Sequence, residues 1–470
     1  MRKKLIVNFF YQASYQVLLI ILPIITIPVV SNALGPAGIG KYNYVNSITS
    51  YFVLVAGLGI ANYGVREISI VRQNKLRMSQ KFWELAFFNL IFSSLTLITY
   101  LIFAVFLSDD IFFIVNGITI FSCIFDITWF FSGIEDFRKI TIRNFIVKLT
   151  GFALILGLIK SRDDLLLYFL ITSISTLISQ ISLWISLKKY IVWVRVNLKD
   201  ILRHVKAASE FFIAKIAISI YQNTSKTILG LMTTMSIVGI YSNAYSLVLM
   251  SGNIINAMNT IMIPRMSNMF SENDEKGMIR LLQKTLHFQM FFTIPISFGI
   301  FLTSSKLVPW FFGPEFMGVS SVLKALAPVV VLQSFQMSVA SQYLIPKKEM
   351  KEYNISIFIG AVLMVISTIL TIPIIGIYGA VFGINFGYFS VSLLRLRVLL
   401  KETDFKLQVK TIVAYFISAL LMVFLTEILT KGMAAIPLTT LTQVFIGSII
   451  YMITTSLFKA NPLVILLKKN

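Results

Sequence analysis

From Leu5 to Gly40 the chain carries no lysine or arginine, and the stretch from Leu5 to Val30 is predominantly apolar. A bilayer-crossing helix needs about 20 such residues, whereas the apolar core of a secretory signal has roughly 7–15. Met1-Arg-Lys-Lys and Ser31-Asn32-Ala33 mimic the two ends of a signal peptide, but the run between them is too long, and it is expected to stay as an uncleaved first membrane helix. The pattern then recurs along the whole chain. Apolar residues make up 57% of 470 and charged residues only 13%, about half the share in soluble domains. Spans are expected at 7–30, 42–64, 82–107, 111–134, 143–159, 165–187, 207–230, 236–264, 284–304, 320–345, 354–374, 377–396, 408–429 and 436–458. Fourteen helices would consume about 280 apolar residues, close to what the composition supplies. The expected fold is an all-α integral membrane protein with about 14 transmembrane helices. A soluble enzyme, a disordered tail and a disulfide scaffold are excluded together. The single cysteine, Cys123, falls within a span and reads as a small core hydrophobe.

A net charge of +21 would suggest nucleic acid in a soluble protein. In a membrane protein, Lys and Arg collect in cytoplasmic loops. With the N-terminus inside, only Lys41, Lys160, Arg162, Lys306, Lys324 and Lys431 fall outside, while Lys215 and Lys226 lie within a span. The other 33 of the 41 cations are then cytoplasmic. That asymmetry predicts both termini in the cytoplasm and leaves no charge for nucleic acid to explain.

No outer loop is long enough to fold as a domain; the largest runs from about Ser305 to Val319. The longest cytoplasmic loop, Lys188 to Lys206, falls where a linker between two six-helix halves would sit. The halves carry a weak repeat at an offset of 199: Gly40 and Gly239, Tyr42 and Tyr241, Ser47 and Ser246, Arg66 and Arg265. A parallel repeat of this kind is a transporter architecture, with the substrate path between the halves. Pro23, Pro28 and Pro295 fall inside spans, as hinges or as the ordinary prolines of membrane helices.

Catalytic signatures are missing. There is no phosphate-binding G-x-x-x-x-G-K-[ST] loop. Gly57-x-Gly59 lies inside an expected span, and His204 and His287 are too far apart in sequence to suggest zinc. No cofactor or metal is expected. Asp109-Asp110 and Asp163-Asp164 read as solvated turns.

Polar chemistry inside the spans is more informative. Lys215, Ser219, Gln222 and Lys226 recur at i, i+4, i+7 and i+11, so both lysines share a helix face about 16 Å apart. A lysine at a helix centre costs roughly 3 kcal/mol, which favours a wet cavity for Lys215; Lys226 is near enough to the outer end to snorkel. Amide and hydroxyl stripes recur in other spans: Asn43, Asn46 and Ser50; Ser242, Ser246, Asn253, Asn256 and Thr260; Asn8, Gln12 and Gln16; Gln333, Gln336, Ser341 and Gln342. Such groups glue helices together or, since each both donates and accepts, bind sugars. Asp126 is the one carboxylate deep in a span, on a helical face with Ser122, Trp129 and Gly133. It is a candidate proton or cation site, a partner for Lys215 or Lys148, or a structural hydrogen bond. Arg66, Arg143, Lys148 and Arg265 sit at expected cytoplasmic helix ends, as positive-inside residues or as a basic vestibule for an anionic head group.

Three stretches resemble bacterial polysaccharide repeat-unit flippases of the O-antigen and capsule type: Leu34-Gly35-Pro36-Ala37-Gly38-Ile39-Gly40-Lys41-Tyr42 with Tyr63-Gly64-Val65-Arg66-Glu67, then Asp126-Ile127-Thr128-Trp129-Phe130-Phe131-Ser132-Gly133, and Phe312-Gly313-Pro314-Glu315-Phe316. Multidrug exporters and lipid II flippases belong to the same superfamily; the absence of a cation between Leu5 and Gly40 departs from the lipid II branch. The resemblance implies two six-helix lobes in a V, here 1–200 and 201–403, with 404–470 as two further C-terminal helices. It implies a cationic cavity, to which Lys215 and Lys226 are best suited. The substrate implied is an undecaprenyl-pyrophosphate-linked oligosaccharide, carried across a bacterial plasma membrane by a monomer, with H+ or Na+ as coupling ion and a polysaccharide polymerase as a downstream partner. Two rivals are a multidrug or organic-cation exporter, whose cavity should be acidic, and a membrane-embedded glycan polymerase or ligase, which would need larger outer loops.

Overall fold

The computed structural model describes the backbone of residues 2–108 and 110–467; the side chains of 1–17, 19–20, 107–109, 213–214, 253–257 and 465–470 lie outside the described residues. The expected polar positions Asn8, Gln12, Gln16, Asn253 and Asn256 are among the latter. The described residues form helices and no strand, and the chain divides into two compact units, Met1–Thr227 and Ile228–Asn470.

In the first unit, α1 (Arg2–Gly57) is broken at Gly35, whose φ of 67° and ψ of 176° are essentially open only to glycine. A second break, at Leu58 and Gly59 (φ 30° and 77°), separates it from α2 (Ile60–Val71). The expected second span is therefore two helices, and Gly57-x-Gly59 marks their junction, not a span interior. Next come α3 (Lys75–Ile102), capped by the Asn74 side chain, and α4 (Ile111–Cys123), capped by Asp110. Asp110 also pairs with Lys41, so it is more than a solvated turn residue. At the end of α4 the Cys123 thiol donates to the Thr119 carbonyl at 3.5 Å. The unit continues with α5 (Thr128–Gly133), α6 (Phe137–Leu158), α7 (Leu165–Leu187), the short α8 (Leu198–Leu202) and α9 (His204–Met232), which belongs to it as far as Thr227.

Small residues let these helices approach closely, as helix contacts in membranes require. A Cβ on Gly64 of α2 would stand 2.8 Å from the Trp129 ring of α5, and one on Gly133 would stand 2.8 Å from Ile68. Trp129 in turn stacks on Phe82 of α3 at 5.5 Å. The Tyr63-Gly64 and Trp129 to Gly133 segments are thus the packing seam of this bundle.

The second unit contains α10 (Met235–Ser271), α11 (Glu275–Phe312), α12 (Gly318–Leu326), α13 (Pro328–Val339), α14 (Met350–Ile375), α15 (Ile377–Glu402), α16 (Val409–Thr430), α17 (Pro437–Leu457) and α18 (Pro462–Leu467). Helix α10 runs unbroken through Met258, the repeat counterpart of Gly59, so the related segments differ in continuity. Helices α14 and α15 form a hairpin through Gly376 (φ 59°), and Gly379 brings α15 against the backbone of Ile372. Much of the expected amide stripe is used inside this unit. Asn259 accepts from Gln289 at 2.8 Å and from Gln342 at 3.0 Å, and Thr285 and Ser338 bond the two glutamines. Gln336 holds the fully buried Arg395, which also donates to Ser356 at 3.0 Å and lies over the Tyr353 ring.

Eleven helical stretches among the described residues are long and apolar enough to cross a membrane. Residues 21–71 count as one stretch, and α9 and α10, each of which contains side chains outside the described residues, are not in the set; the figure of 14 stays an expectation.

Candidate functional site

Helix α6 begins at Phe137, six residues before the expected start of that span. Lys148 therefore stands not at a helix end but eleven residues into α6, about 16 Å along its axis. There it lines an open cavity of about 480 Å³ walled by α1, α6 and α7. Asn144 stands one turn before it, and α7 supplies Thr172, Ser175, Thr176 and Ser179 at i, i+3, i+4 and i+7. Tyr42 of α1 and Tyr168 of α7 close one wall with their rings 4.7 Å apart. Several of these hydroxyls already donate to their own helix: Thr26 to Leu22, Thr172 to Tyr168, and Thr176 to Thr172. Their oxygens remain able to accept. No carboxylate lies within ion-pair distance of Lys148 among the described residues. The pocket thus offers one ammonium, an amide, an aromatic wall and a row of hydroxyls, which together can take an anionic, hydroxyl-rich group. The α7 stripe was visible in the sequence as four Ser/Thr at helical spacing, but nothing there paired it with α6.

The other expected cations have varied surroundings. Arg143 straps α6 to α7: it donates to the Ser179 carbonyl at 2.6 Å and to the Asn144 side chain. Arg66 is bonded to Glu67 at 3.1 Å, and its guanidinium lies over the rings of Tyr63 and Phe211. Lys215 is partly buried and feels the charge of Asp126. Lys226 is also partly buried, whereas Arg265 is exposed on α10. Of the expected polar lining, Ser219 is buried and bonded to Asn223, but Gln222 is exposed. Asn43 donates to the Ile39 carbonyl, and the Asn46 carbonyl accepts from Ser50.

Asp126 does not share a continuous helical face with Ser122, Trp129 and Gly133. The chain unwinds between α4 and α5, because the Asp126 carboxylate accepts from the Thr128 amide at 2.9 Å and its carbonyl accepts from the Trp129 indole at 2.9 Å. Asp126 is both a cap and the charge beside Lys215. Asp126→Ala is therefore expected to cost about 1 kcal/mol, the usual loss of a cap, whereas Asp126→Asn keeps an accepting oxygen and melts within about 0.5 kcal/mol of the parent. Thermal melting of the two purified variants distinguishes them.

Sequence reading missed Glu84. Its carboxylate is buried in α3 and receives Arg203 at 2.8 Å, His204 at 3.0 Å, Lys81 at 3.1 Å and Gln80 at 3.1 Å. The bond to Glu84 raises the Arg203 pKa above its ordinary value. On its other side His204 meets the Tyr63 hydroxyl at 2.6 Å. This cluster ties α2 and α3 to the start of α9.

An all-helical, multi-pass membrane protein with a polar pocket walled by its own helices has the architecture of a membrane carrier. Its fold is that of the lipid II flippase MurJ in an inward closed conformation, with a TM-score of 0.74 at 16% identity over 96% of this chain and 98% of that one. An inward-facing multidrug MATE transporter of the MOP superfamily aligns with a TM-score of 0.60 at 16% identity, over 82% and 96%. In sequence, a protein of Escherichia coli K12 named for O-antigen transport is 22% identical over 377 residues, covering 78% of this chain and 89% of that protein. A Haloferax volcanii protein named for a flippase of low-salt glycan biosynthesis is 25% identical over 220 residues, 47% of this chain and 46% of that protein. Residues 5–270 match the polysaccharide biosynthesis protein family, and the chain belongs to that family.

Proposed function

We propose that the chain is a flippase that moves an undecaprenyl-pyrophosphate-linked oligosaccharide from the inner to the outer leaflet of a bacterial plasma membrane, with both termini cytoplasmic. The observation that carries this reading is the α1–α6–α7 pocket, where Lys148 shares the lining with amide and hydroxyl groups and, among the described residues, with no carboxylate. Family membership and the names of its relatives support the same substrate class. The polyprenyl tail stays in lipid, so only the pyrophosphate and sugar need a path across about 30 Å of hydrocarbon. Lys148, Lys215 and Lys226 offset the phosphate charge on that path, with Arg66, Arg143 and Arg265 as its basic approach. Ser219, Gln222, Asn43, Asn46, Asn253 and Asn256 offer loose bonds to the sugar. Residues 1–200 and 201–403 act as the two moving lobes, and 404–470 as an accessory pair. An inside-negative potential favours anion export by about 2.3 kcal/mol per charge per 100 mV. Coupling to H+ or Na+, with Asp126 as the candidate site, then serves to reset the empty carrier. A cationic pocket disfavours a multidrug exporter of organic cations, since like charge repels them.

Lys148→Gln is expected to lower export of lipid-linked oligosaccharide at least tenfold while the protein still reaches the membrane. Lys148→Arg should keep a substantial part. The readout is the leaflet in which the lipid-linked sugar accumulates, followed by accessibility to an external glycosidase. Wild-type export by Lys148→Gln would remove the pocket from the mechanism. Accumulation in the outer leaflet when the protein is deleted would overturn the flippase reading itself.

A further inference from the structure

A second recess opens on the opposite side of α6 from much of the Lys148 pocket. It has a volume of about 640 Å³ and runs between the first turns of α6 and the last turns of α7. Along one wall stand Arg138, Lys139, Ile142 and Ile146, spaced so that one face of α6 changes from basic to apolar within three turns. Ile178 and Ser182 form the facing wall on α7. Ile142, Ile146 and Ile178 are all exposed, as side chains bathed by acyl chains are. The basic end is only partly neutralised from within, since three cations share the lining with one carboxylate. Arg138 is exposed and makes no ion pair among the described residues. The Lys139 ammonium sits 4.4 Å from the Tyr190 ring centre and 3.9 Å from the one carboxylate in the lining, Asp136. Arg138 is left as the free cation of the groove among the described residues. The Asp136 carboxylate also accepts from the Tyr190 hydroxyl at 2.6 Å, so Lys139 shares it. Burial and this bond push the Tyr190 pKa up to about 12. Arg143 closes the floor and is engaged with the Ser179 carbonyl.

We propose that this groove is a binding site for an acidic phospholipid of the surrounding bilayer. The phosphate lies between Arg138 and Lys139, within reach of the Ser182 hydroxyl, and one acyl chain follows Ile142, Ile146 and Ile178. Charge complementarity selects the occupant. A zwitterionic lipid would bring its own cation to a site that already has two, whereas an acidic headgroup brings net negative charge. The order of the wall, cations at the helix ends and isoleucines deeper, matches the order of a lipid from headgroup to tail. The site stands independently of the transported substrate.

The test uses the full-length purified chain and native mass spectrometry, with phosphatidylglycerol titrated against phosphatidylcholine. Phosphatidylglycerol should bind preferentially. The double substitution Arg138→Gln/Lys139→Gln should weaken it about twenty-fivefold, as roughly 1 kcal/mol per surface cation corresponds to about fivefold each. Lys75→Gln/Arg77→Gln removes equal charge from the start of α3 and should change binding less than twofold. Ile146→Trp, which obstructs the groove without altering charge, should also weaken phosphatidylglycerol. Equal retention of the two lipids, equal losses in the two double variants, or full binding by Ile146→Trp would each overturn the proposal. So would displacement of phosphatidylglycerol by an equimolar polyprenyl pyrophosphate, which would assign the groove to that lipid.

Discussion

Glu84→Ala should destabilise the protein by about 3 kcal/mol, a loss readable as a drop in melting temperature of the detergent-purified chain. The carboxylate is buried and holds four donors at 2.8–3.1 Å. Removing one partner of a buried ion pair leaves the others uncompensated, which costs about 3–5 kcal/mol. The lower end applies because Arg203 is half exposed and can turn to water, while Lys81 keeps Glu67 at 3.7 Å. His204, nearly wholly buried, has no such escape and, among the described residues, retains the Tyr63 hydroxyl as its one hydrogen-bond partner. Arg203→Ala should therefore cost much less than Glu84→Ala, because the carboxylate keeps three of its partners. Equal melting temperatures for Glu84→Ala and the parent would show that the cluster does not hold α2 and α3 to α9.

The second large effect is expected at Gly59. Its φ of 77° already penalises any side chain, by roughly 1–2 kcal/mol. A methyl group there would also stand 2.2 Å from the Ala208 carbonyl oxygen and 3.0 Å from the Phe212 amide nitrogen. Both are backbone atoms of α9 and cannot swing aside as a side-chain tip would. Gly59→Ala should cost more than about 3 kcal/mol, comparable to overpacking and strain combined, and the protein should largely fail to accumulate. Gly57 is the internal comparison: nothing lies within 4 Å of a Cβ built there, and its conformation is helical. Gly57→Ala should be neutral or stabilising by up to about 1 kcal/mol. Similar yields for the two variants, two positions apart, would remove close helix approach as the reason for Gly59.

Hydropathy made most of the fold legible, because a lipid solvent leaves helices little freedom to be anything else. Breaks within helices were not legible in that way. The turn at Leu58 and Gly59 is as apolar as its surroundings, so it disappears into the expected second span and shows itself only through backbone angles. Asp126 misled for a related reason: a carboxylate that caps the next helix has the same sequence context as one facing a cavity. Lys148 looks like a helix-end cation only if α6 starts at 143; the polar Phe137-Arg-Lys-Ile-Thr-Ile-Arg segment is helical and moves the start six residues earlier. Glu84 could not be found at all by local pattern. Its partners Arg203 and His204 are 119 and 120 positions away, and only tertiary folding brings an otherwise ordinary acid of α3 into their reach.

Cys123 has a practical bearing. The only thiol of 470 residues is tucked against the end of α4, where it donates to a main-chain oxygen of its own helix. A spin probe or fluorophore attached through a newly placed cysteine on a helix surface would meet a single native competitor, and one held partly out of reach. The chain is in this sense a nearly blank canvas for spectroscopy of its own motions.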